Sequence, residues 1–184
     1  MTEISLNVLD IANNSIRAGA GLIEITVQIR RDLDALTIII SDNGSGMSQE
    51  QLTQVEDPFF TTRTTRRIGL GVPFFKMAAL STGGSFKIDS TLGVGTIITA
   101  VFGLSHIDRM PLGDMNSTIH TLITLNTHID FLYTYEFDGN RFTLDTREFR
   151  QILGGIPLNS PEVTNYIKEY LNENQNETDG GYHI

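Results

Sequence analysis

The chain has 184 residues, enough for one compact domain with a core, or for one domain and an appendage. Its 22 acidic residues outnumber 13 basic ones, and the net charge of -9 disfavours nucleic acid as a partner. Any nucleotide site must therefore draw on helix N-termini, backbone amides or Mg. The sequence contains no cysteine. It also lacks a signal-peptide pattern and any apolar run of the roughly 18 residues that a membrane span needs. We expect a soluble, cytoplasmic protein without disulfides or membrane contact.

The N-terminal part of the chain has the hydrophobic patterns of an α/β sandwich. Val8, Ile11 and Ala12 recur at helical spacing and predict a helix over residues 4–18. The other expected elements are a short helix capped by Ser48 and Gln51, a helix over 72–82 with Pro73 in its first turn, and strands over 22–30, 35–41, 85–90 and 96–103. This order predicts a two-layer α/β (α+β) sandwich, with helices on one face of a mixed, mostly antiparallel sheet.

The chain changes character after Ser105. Alternation of Thr and other polar residues with apolar ones over 118–137 predicts a strand, which leads into a hairpin turn at Asp138-Gly139-Asn140. Helices are expected over 146–153 and from Pro161 to about residue 172. The predicted parts are a domain over 1–104, an extension of β-hairpin and helices over 105–175, and a disordered polar tail over 176–184.

An aspartate and two glycines follow the strand predicted over 35–41. Asp42 could accept a hydrogen bond from an exocyclic amine such as that of adenine. Gly44 and Gly46 would let the backbone approach a flat base closely. Asp-Asn-Gly is also a common turn sequence, so a plain turn is the alternative interpretation. The same alternative, a tight hairpin, applies to Gly93-Val94-Gly95-Thr96.

Asp10 and Asn14 lie four residues apart and share one face of the first predicted helix. An amide oxygen is a hard, neutral ligand that suits Mg when phosphates supply the remaining oxygens. A carboxylate one turn away could orient or deprotonate a water. The alternative is an ordinary polar pair on a solvated helix face.

The most basic stretch of this acidic chain precedes the helix predicted over 72–82. The backbone amides of Gly69-Leu70-Gly71, at the positive end of that helix, would cradle phosphates. Thr61, Thr62 and Arg63 offer further donors to a polyphosphate. A solvated surface loop is the alternative, but it does not explain why positive charge collects beside a glycine-rich helix start.

The ordered series of motifs over residues 5–103 resembles an ATP-binding superfamily. Its members include histidine-kinase catalytic domains, DNA gyrase, MutL and the ninety-kilodalton heat-shock chaperone. The segments DPFFTTR, GLGVPFFK and GGSFKIDSTLGVGTIITAVF are similar to histidine-kinase catalytic domains, whereas ANNSIRAGA is more similar to MutL. Each motif is weak alone, but five motifs in this order are a specific signal. The resemblance implies the Bergerat ATP-binding fold.

The resemblance also implies a role for each matching residue. Asn14 would hold Mg, Asp10 would activate water, and Asp42 would bind the adenine amine. Thr96 would help to hold the base through a water, and Met47 would pack near the ring. The other residues implied at the ATP site are Gly44, Gly46, Phe60, Thr61, Thr62, Arg63, Gly69, Leu70 and Gly71. Of these, Gly69 and Gly71 would lie under the phosphates at the hinge of the ATP lid.

Two features depart from the superfamily pattern. Asp10 stands where hydrolysing members have Glu, and its side chain is one methylene shorter, which predicts slow hydrolysis or a closer helix. The lid is also short, because only residues 63–68 separate the Phe-Phe motif from Gly69. Long lids usually close over the nucleotide, so we expect closure here to depend on a partner.

The resemblance leaves three functions open: a stand-alone nucleotide-dependent switch or slow ATPase that regulates a partner protein, a serine/threonine kinase of the anti-sigma type, and a binding-only module. The first helix begins within the first few residues, so no phosphoacceptor domain is expected before it. The histidines at positions 106, 120, 128 and 183 follow the domain and match no histidine-kinase acceptor pattern.

The region 105–175 is similar to the tails of stand-alone ATP-binding proteins of anaerobic bacteria, whose genes often lie near iron hydrogenases. This resemblance implies a regulated protein partner with a redox connection. The alternating strand and hairpin would suit pairing with such a partner, and a structural cap on the ATP domain is the alternative. The sequence leaves the oligomeric state open.

Overall fold

The computed structural model describes residues 3–56 and 71–182. Within these ranges the strands are β1 (Leu22–Arg30), β2 (Ala35–Asp42), β3 (Ser85–Thr91), β4 (Gly95–Gly103), β5 (Asp130–Phe137) and β6 (Asn140–Asp145). The helices are α1 (Ile4–Arg17), α2 (Gln49–Glu56), α3 (Gly71–Ser81), α4 (Met115–Leu125), α5 (Thr146–Leu153) and α6 (Pro161–Asp179), with a 3-10 turn at Arg31–Leu33.

The six strands described form one sheet in the order β3-β4-β2-β1-β5-β6. Neighbouring strands run antiparallel, except that β1 and β5 are parallel. Alternate residues of β1, such as Ile23, Ile25 and Val27, are fully buried, and the residues between them are half-buried. This period of two buries one face of the sheet under the helices. The predicted α+β sandwich with a mixed, mostly antiparallel sheet is confirmed.

The helices of the N-terminal part begin and end at the capping residues, proline and glycine that the sequence predicts. Ser48 and Gln51 form a reciprocal capping box at the start of α2, with Ser48 N donating to Gln51 Oε1 at 2.9 Å. Pro73 lies in the first turn of α3, and Gly83 ends that helix region at a φ of 72°. Strand and helix bounds in this part agree with the predictions to within one residue.

Helix α1 is capped from the distant connector between β4 and α4. The amide of Ile4 donates to Pro111 O at 3.0 Å, and the amide of Ser5 donates to Leu112 O at 2.9 Å. These carbonyls satisfy two of the amides that a helix start leaves without an intrahelical partner. Ile4, Val8 and Ile11 are buried beneath the helix, so the face that carries Asn14 points away from the sheet core.

The prediction of a strand across 118–137 is wrong for its first part, which forms α4. Asp114 caps this helix by accepting from Ser117 N at 2.8 Å. Met115, Ile119 and Leu122 are buried at helical spacing, and Thr121 bonds back to Ser117 O at 2.7 Å. Of the threonines that imitate strand alternation, Thr121 and Thr124 are half-buried on this helix, whereas Thr118 is buried. The hairpin turn at residues 138–140 is confirmed.

The prediction of a disordered tail from residue 176 is also wrong as far as α6 extends. This helix continues to Asp179, whose carboxylate accepts a hydrogen bond from Tyr135 Oη at 2.8 Å. Burial, reinforced by this carboxylate, raises the pKa of Tyr135 well above its ordinary value. Thr178 and Asp179 are themselves buried, which explains why a polar sequence remains helical here.

The region after residue 105 extends the same sheet. Strand β5 pairs along β1 from Leu22 opposite Asp130 to Ile29 opposite Phe137, and β6 adds the edge strand. Helices α4 and α6 cover this half of the sheet, and α4 also packs against α1. Both halves of the chain therefore share one core. Within residues 3–56 and 71–182, no helix has the length and hydropathy needed to cross a bilayer.

Candidate nucleotide site

The last residue of β2, Asp42, has both carboxylate oxygens held by the protein. Ser15 Oγ on α1 donates to Asp42 Oδ2 at 2.5 Å, and Gly44 N donates to Asp42 Oδ1 at 2.9 Å. A side chain at Gly44 would press against Ala18, so glycine keeps this loop close to α1. The carboxylate is half-buried and keeps lone pairs that point elsewhere. It is a fixed anionic acceptor between a helix and a sheet.

The turn between β3 and β4 closes against the glycine loop that follows Asp42. A Cβ on Gly46 would collide with the carbonyl of Thr91, and a Cβ on Gly95 would collide with the carbonyl of Asp42. Both glycines have positive φ, at 60° and 141°. These two positions require glycine, because backbone meets backbone there. The register places Thr96 directly opposite Asp42.

A pocket of about 310 Å³ opens beside these residues. Its volume lies at the lower end of the range of about 300–1,000 Å³ that is common for small-molecule sites. Among the described residues, its lining is mostly apolar, with a few polar groups and one residue of each charge. The lining residues are Ile11, Asn14, Ser15, Arg17, Ala18, Asp42, Ser45, Gly46, Met47, Gln51, Val55, Val72, Ile88, Thr96 and Ile98.

The structure thus brings together five of the residues that the sequence nominates. Asn14, Asp42, Gly46, Met47 and Thr96 line the pocket, and Gly44 lies directly behind Asp42. Their individual roles stay predictions. The residues nominated at positions 60–63, 69 and 70, namely Phe60, Thr61, Thr62, Arg63, Gly69 and Leu70, lie outside the described residues.

Asp10 and Gly71 lie together but outside the lining of the pocket. A Cβ placed on Gly71, the first residue of α3, would stand 3.1 Å from Asp10 Cβ and 3.3 Å from Asp10 Oδ2. The carboxylate therefore lies beside the positive N-terminal end of α3. Asp10 is exposed, and it stands one helical turn before Asn14 on α1.

Sequence reasoning left one charged residue out of the site. Arg17 lines the pocket, and its guanidinium donates to Asn14 Oδ1 at 3.4 Å. Its place three residues after Asn14 puts it on the same helix face, which is the signal that could have identified it. Ile11, whose spacing helps to predict the first helix, and the buried Ser15 also border the pocket.

The described lining of the pocket therefore combines the fixed carboxylate of Asp42 with the amide of Asn14 and the guanidinium of Arg17. The family model described as histidine kinase-, DNA gyrase B-, and HSP90-like ATPase matches residues 2–106. The chain belongs to this family, and its N-terminal part is an ATPase-type nucleotide-binding domain with kinase relatives.

Two curated relatives are bacterial signalling kinases or sensors. Sporulation kinase C of Bacillus subtilis is 30% identical over 96 residues, which are 52% of this chain and 22% of the kinase. The C4-dicarboxylate transport sensor protein DctB of Pseudomonas aeruginosa is 28% identical over 99 residues, which are 53% of this chain and 16% of that protein. The match thus spans less than a quarter of either relative.

A solved structure extends the likeness of the fold beyond the matched sequence. The MutL ATPase domain of Aquifex aeolicus, complexed with ADP, has a TM-score of 0.54 and 14% sequence identity. The likeness covers 84% of this chain and 70% of that one. The shared fold therefore includes part of the region after residue 106.

Proposed function

We propose that this chain binds Mg-ATP in the Asp42 pocket and acts as a nucleotide-dependent switch or slow ATPase that regulates a partner protein. One observation carries the proposal: Asp42, from a strand end, and Asn14, from a helix face, open on the same pocket. The first offers an acceptor for an amine, and the second offers an oxygen for a metal. Few ligands need both groups, and a purine nucleotide with its metal is one.

Asp42 and the apolar lining of the pocket have the chemistry of a base-binding site. Ile88, Ile98 and Met47 supply apolar surface beside the carboxylate. A flat heterocycle would gain hydrophobic burial there and give an amine hydrogen to Asp42. Because both carboxylate oxygens are already held, the acceptor needs little reorganisation when a base arrives.

Asn14 and Arg17 have the chemistry that suits a phosphate chain. Arg17 is the cation among the described lining residues and would pair with phosphate oxygens. Asn14 would hold Mg through its amide oxygen, and the ion would neutralise phosphate charge. Binding there would require Arg17 to release Asn14 Oδ1, which it contacts at a weak 3.4 Å.

Replacing Asn14 by Ala should remove the dependence of ATP binding on Mg. The affinity for Mg-ATP should fall by roughly tenfold, the size of one charge-assisted contact, towards the affinity for metal-free ATP. Titration calorimetry with and without a chelator measures both values. Asn13→Ala is the matched control, because Asn13 is the same residue type one position away and does not line the pocket. Equal binding of Mg-ATP and metal-free ATP by the unaltered chain would exclude the metal role of Asn14.

Replacing Asp10 by Asn should lower hydrolysis by about a hundredfold and leave ATP affinity within about twofold, as for loss of a general base. Asp10 is not among the residues that line the pocket, so its replacement should change binding of the ground state little. Steady-state phosphate release and calorimetry separate the two effects. Asp108→Asn, on the exposed connector, is the control. A loss of hydrolysis and binding together would assign Asp10 a structural role instead.

The kinase relatives favour a second candidate function, transfer of the γ-phosphoryl group to a partner. The resemblance to anti-sigma-type kinases implies a serine or threonine of that partner as the acceptor. Incubation with γ-labelled ATP, alone and with lysate of the source organism, distinguishes the candidates. Free labelled phosphate supports a slow ATPase, and label on another protein supports a kinase. Tight binding without either supports a switch, whereas absence of ATP binding overturns the whole proposal.

A further inference from the structure

The hydroxyl group of Ser90 on β3 contacts three parts of the chain that surround the pocket. Its Oγ accepts from the backbone amide of Met47 at 2.9 Å. The same oxygen lies 3.0 Å from the carbonyl oxygen of Gly95 and 2.9 Å from Thr96 Oγ1. This side chain therefore connects the loop that follows Asp42, the turn before β4, and Thr96, which lines the pocket.

The chemistry of these groups determines where the hydrogens lie. The Met47 amide can only donate, and the Gly95 carbonyl can only accept. All three contacts form together only if Ser90 gives its hydrogen to Gly95 and Thr96 gives its hydrogen to Ser90. The opposite direction, from Ser90 to Thr96, would leave the Gly95 carbonyl without this donor. Because polar groups removed from water are usually satisfied, the first arrangement is favoured.

With its hydrogen committed to Ser90, Thr96 offers the pocket only lone pairs. Asp42, its partner across the β2–β4 pair, is also an acceptor. Asp42 and Thr96 therefore present two acceptors to the pocket and suit a ligand that donates hydrogen bonds.

We propose that Ser90 is a positioning residue that fixes the Thr96 hydroxyl as an acceptor and makes the pocket select 6-amino purines over 6-oxo purines. The inference rests on the proposed function, because it concerns the base of the bound nucleotide. An amine has hydrogens for both acceptors, whereas a 6-oxo group would face Asp42 and Thr96 with no hydrogen between them.

A water between Thr96 and the base would transmit the same preference. Such a water would give its two hydrogens to Asp42 and Thr96 and turn its lone pairs towards the base. At position 6 only the amine supplies a donor for those lone pairs, because a 6-oxo purine carries its hydrogen on N1 instead. If Ser90 is lost, Thr96 can turn its hydrogen towards the pocket or the water, and a 6-oxo group gains a donor.

The test compares ATP with inosine triphosphate, which carries an oxo group at position 6, by titration calorimetry. The unaltered chain should prefer ATP. Ser90→Ala should reduce the ratio of the two affinities by about fivefold, the size of one hydrogen bond, mainly through tighter binding of inosine triphosphate. Ser90→Thr, which keeps the hydroxyl, should restore the ratio. Thr96→Val alone should also lower the ratio, and adding Ser90→Ala to it should change the ratio no further.

An equal loss of affinity for both nucleotides in Ser90→Ala would assign Ser90 a purely structural role and overturn the inference. An unchanged ratio in Thr96→Val would overturn it as well, even if Ser90→Ala did not fold. Failure of the unaltered chain to bind either nucleotide would refute the proposed function itself, so the two failures are distinguishable.

Discussion

Replacing Asp42 by Asn is expected to weaken ATP binding by at least about a hundredfold. The carboxylate accepts from Ser15 and from the amide of Gly44, and it must also accept from the base. An Asn side chain has one oxygen, so its NH2 group would face the Gly44 amide, the incoming amine, or Ser15 with its hydroxyl reversed. A hydrogen bond to a charged group contributes about 1.5–3 kcal/mol, and more than one bond loses its charged acceptor here.

Titration calorimetry measures this loss, and the free energy of unfolding checks that the fold persists. Asp89→Asn is the matched control, because Asp89 forms an exposed pair with Lys87 on the edge strand β3. Exposed pairs of this kind contribute about 0–1 kcal/mol, so stability and ATP affinity should both change little. Wild-type affinity in Asp42→Asn would rule out the role of Asp42 in binding adenine.

Replacing Gly95 by Ala is expected to reduce the free energy of unfolding by about 3–5 kcal/mol. The added Cβ would collide with the carbonyl of Asp42, and the φ of 141° at Gly95 is unfavourable for alanine. Strands β2 and β4 would have to separate at the point where they form the pocket. ATP binding should therefore fall together with stability.

Gly93→Ala provides the comparison for Gly95→Ala within the same turn. Gly93 also has a positive φ, at 78°, but an added Cβ would point into open space. Gly93→Ala should therefore reduce the free energy of unfolding only by the conformational cost of about 1–2 kcal/mol. Urea unfolding of both variants separates the cost of the collision from the cost of the backbone conformation. Equal destabilisation by the two substitutions would contradict the close approach of Gly95 to Asp42.

The parts of the fold that the sequence predicts well are those that depend on local pattern. Strand β1 alternates buried and half-buried residues along its whole length, and the sequence alternates in the same way. Helix α4 shows the limit of this approach. Its threonines imitate strand alternation, while the decisive signals are the Asp114 cap and the helical spacing of Met115, Ile119 and Leu122. Two periods compete in that segment, and packing against α1 and α6 favours the helix.

The residues of the candidate site also fall into two groups, those that a local motif predicts and those that tertiary structure positions. Asp42 and the glycines after it form a local motif, so the chain order alone nominates them. The contact from Ser15 to Asp42 joins residues 27 positions apart and depends on how α1 lies on the sheet. The alignment of Thr96 with Asp42 depends on the register of β2 and β4, which single-sequence patterns do not determine. The end of α6 is of the same kind, because Asp179 is held by Tyr135 from a distant strand.

The parallel pairing of β1 with β5 has a consequence for how the molecule is assembled. More than a hundred residues separate Leu22 from its partner Asp130, so this edge of β1 stays open until the second half of the chain has arrived. Contacts between such remote segments form slowly, because a long loop must close first. Until then β1 exposes unpaired backbone groups beside Ile23, Ile25 and Val27, which is a template for association between chains. We therefore expect a partly folded chain with β1 unpaired, more than the finished domain, to be the state most prone to aggregate.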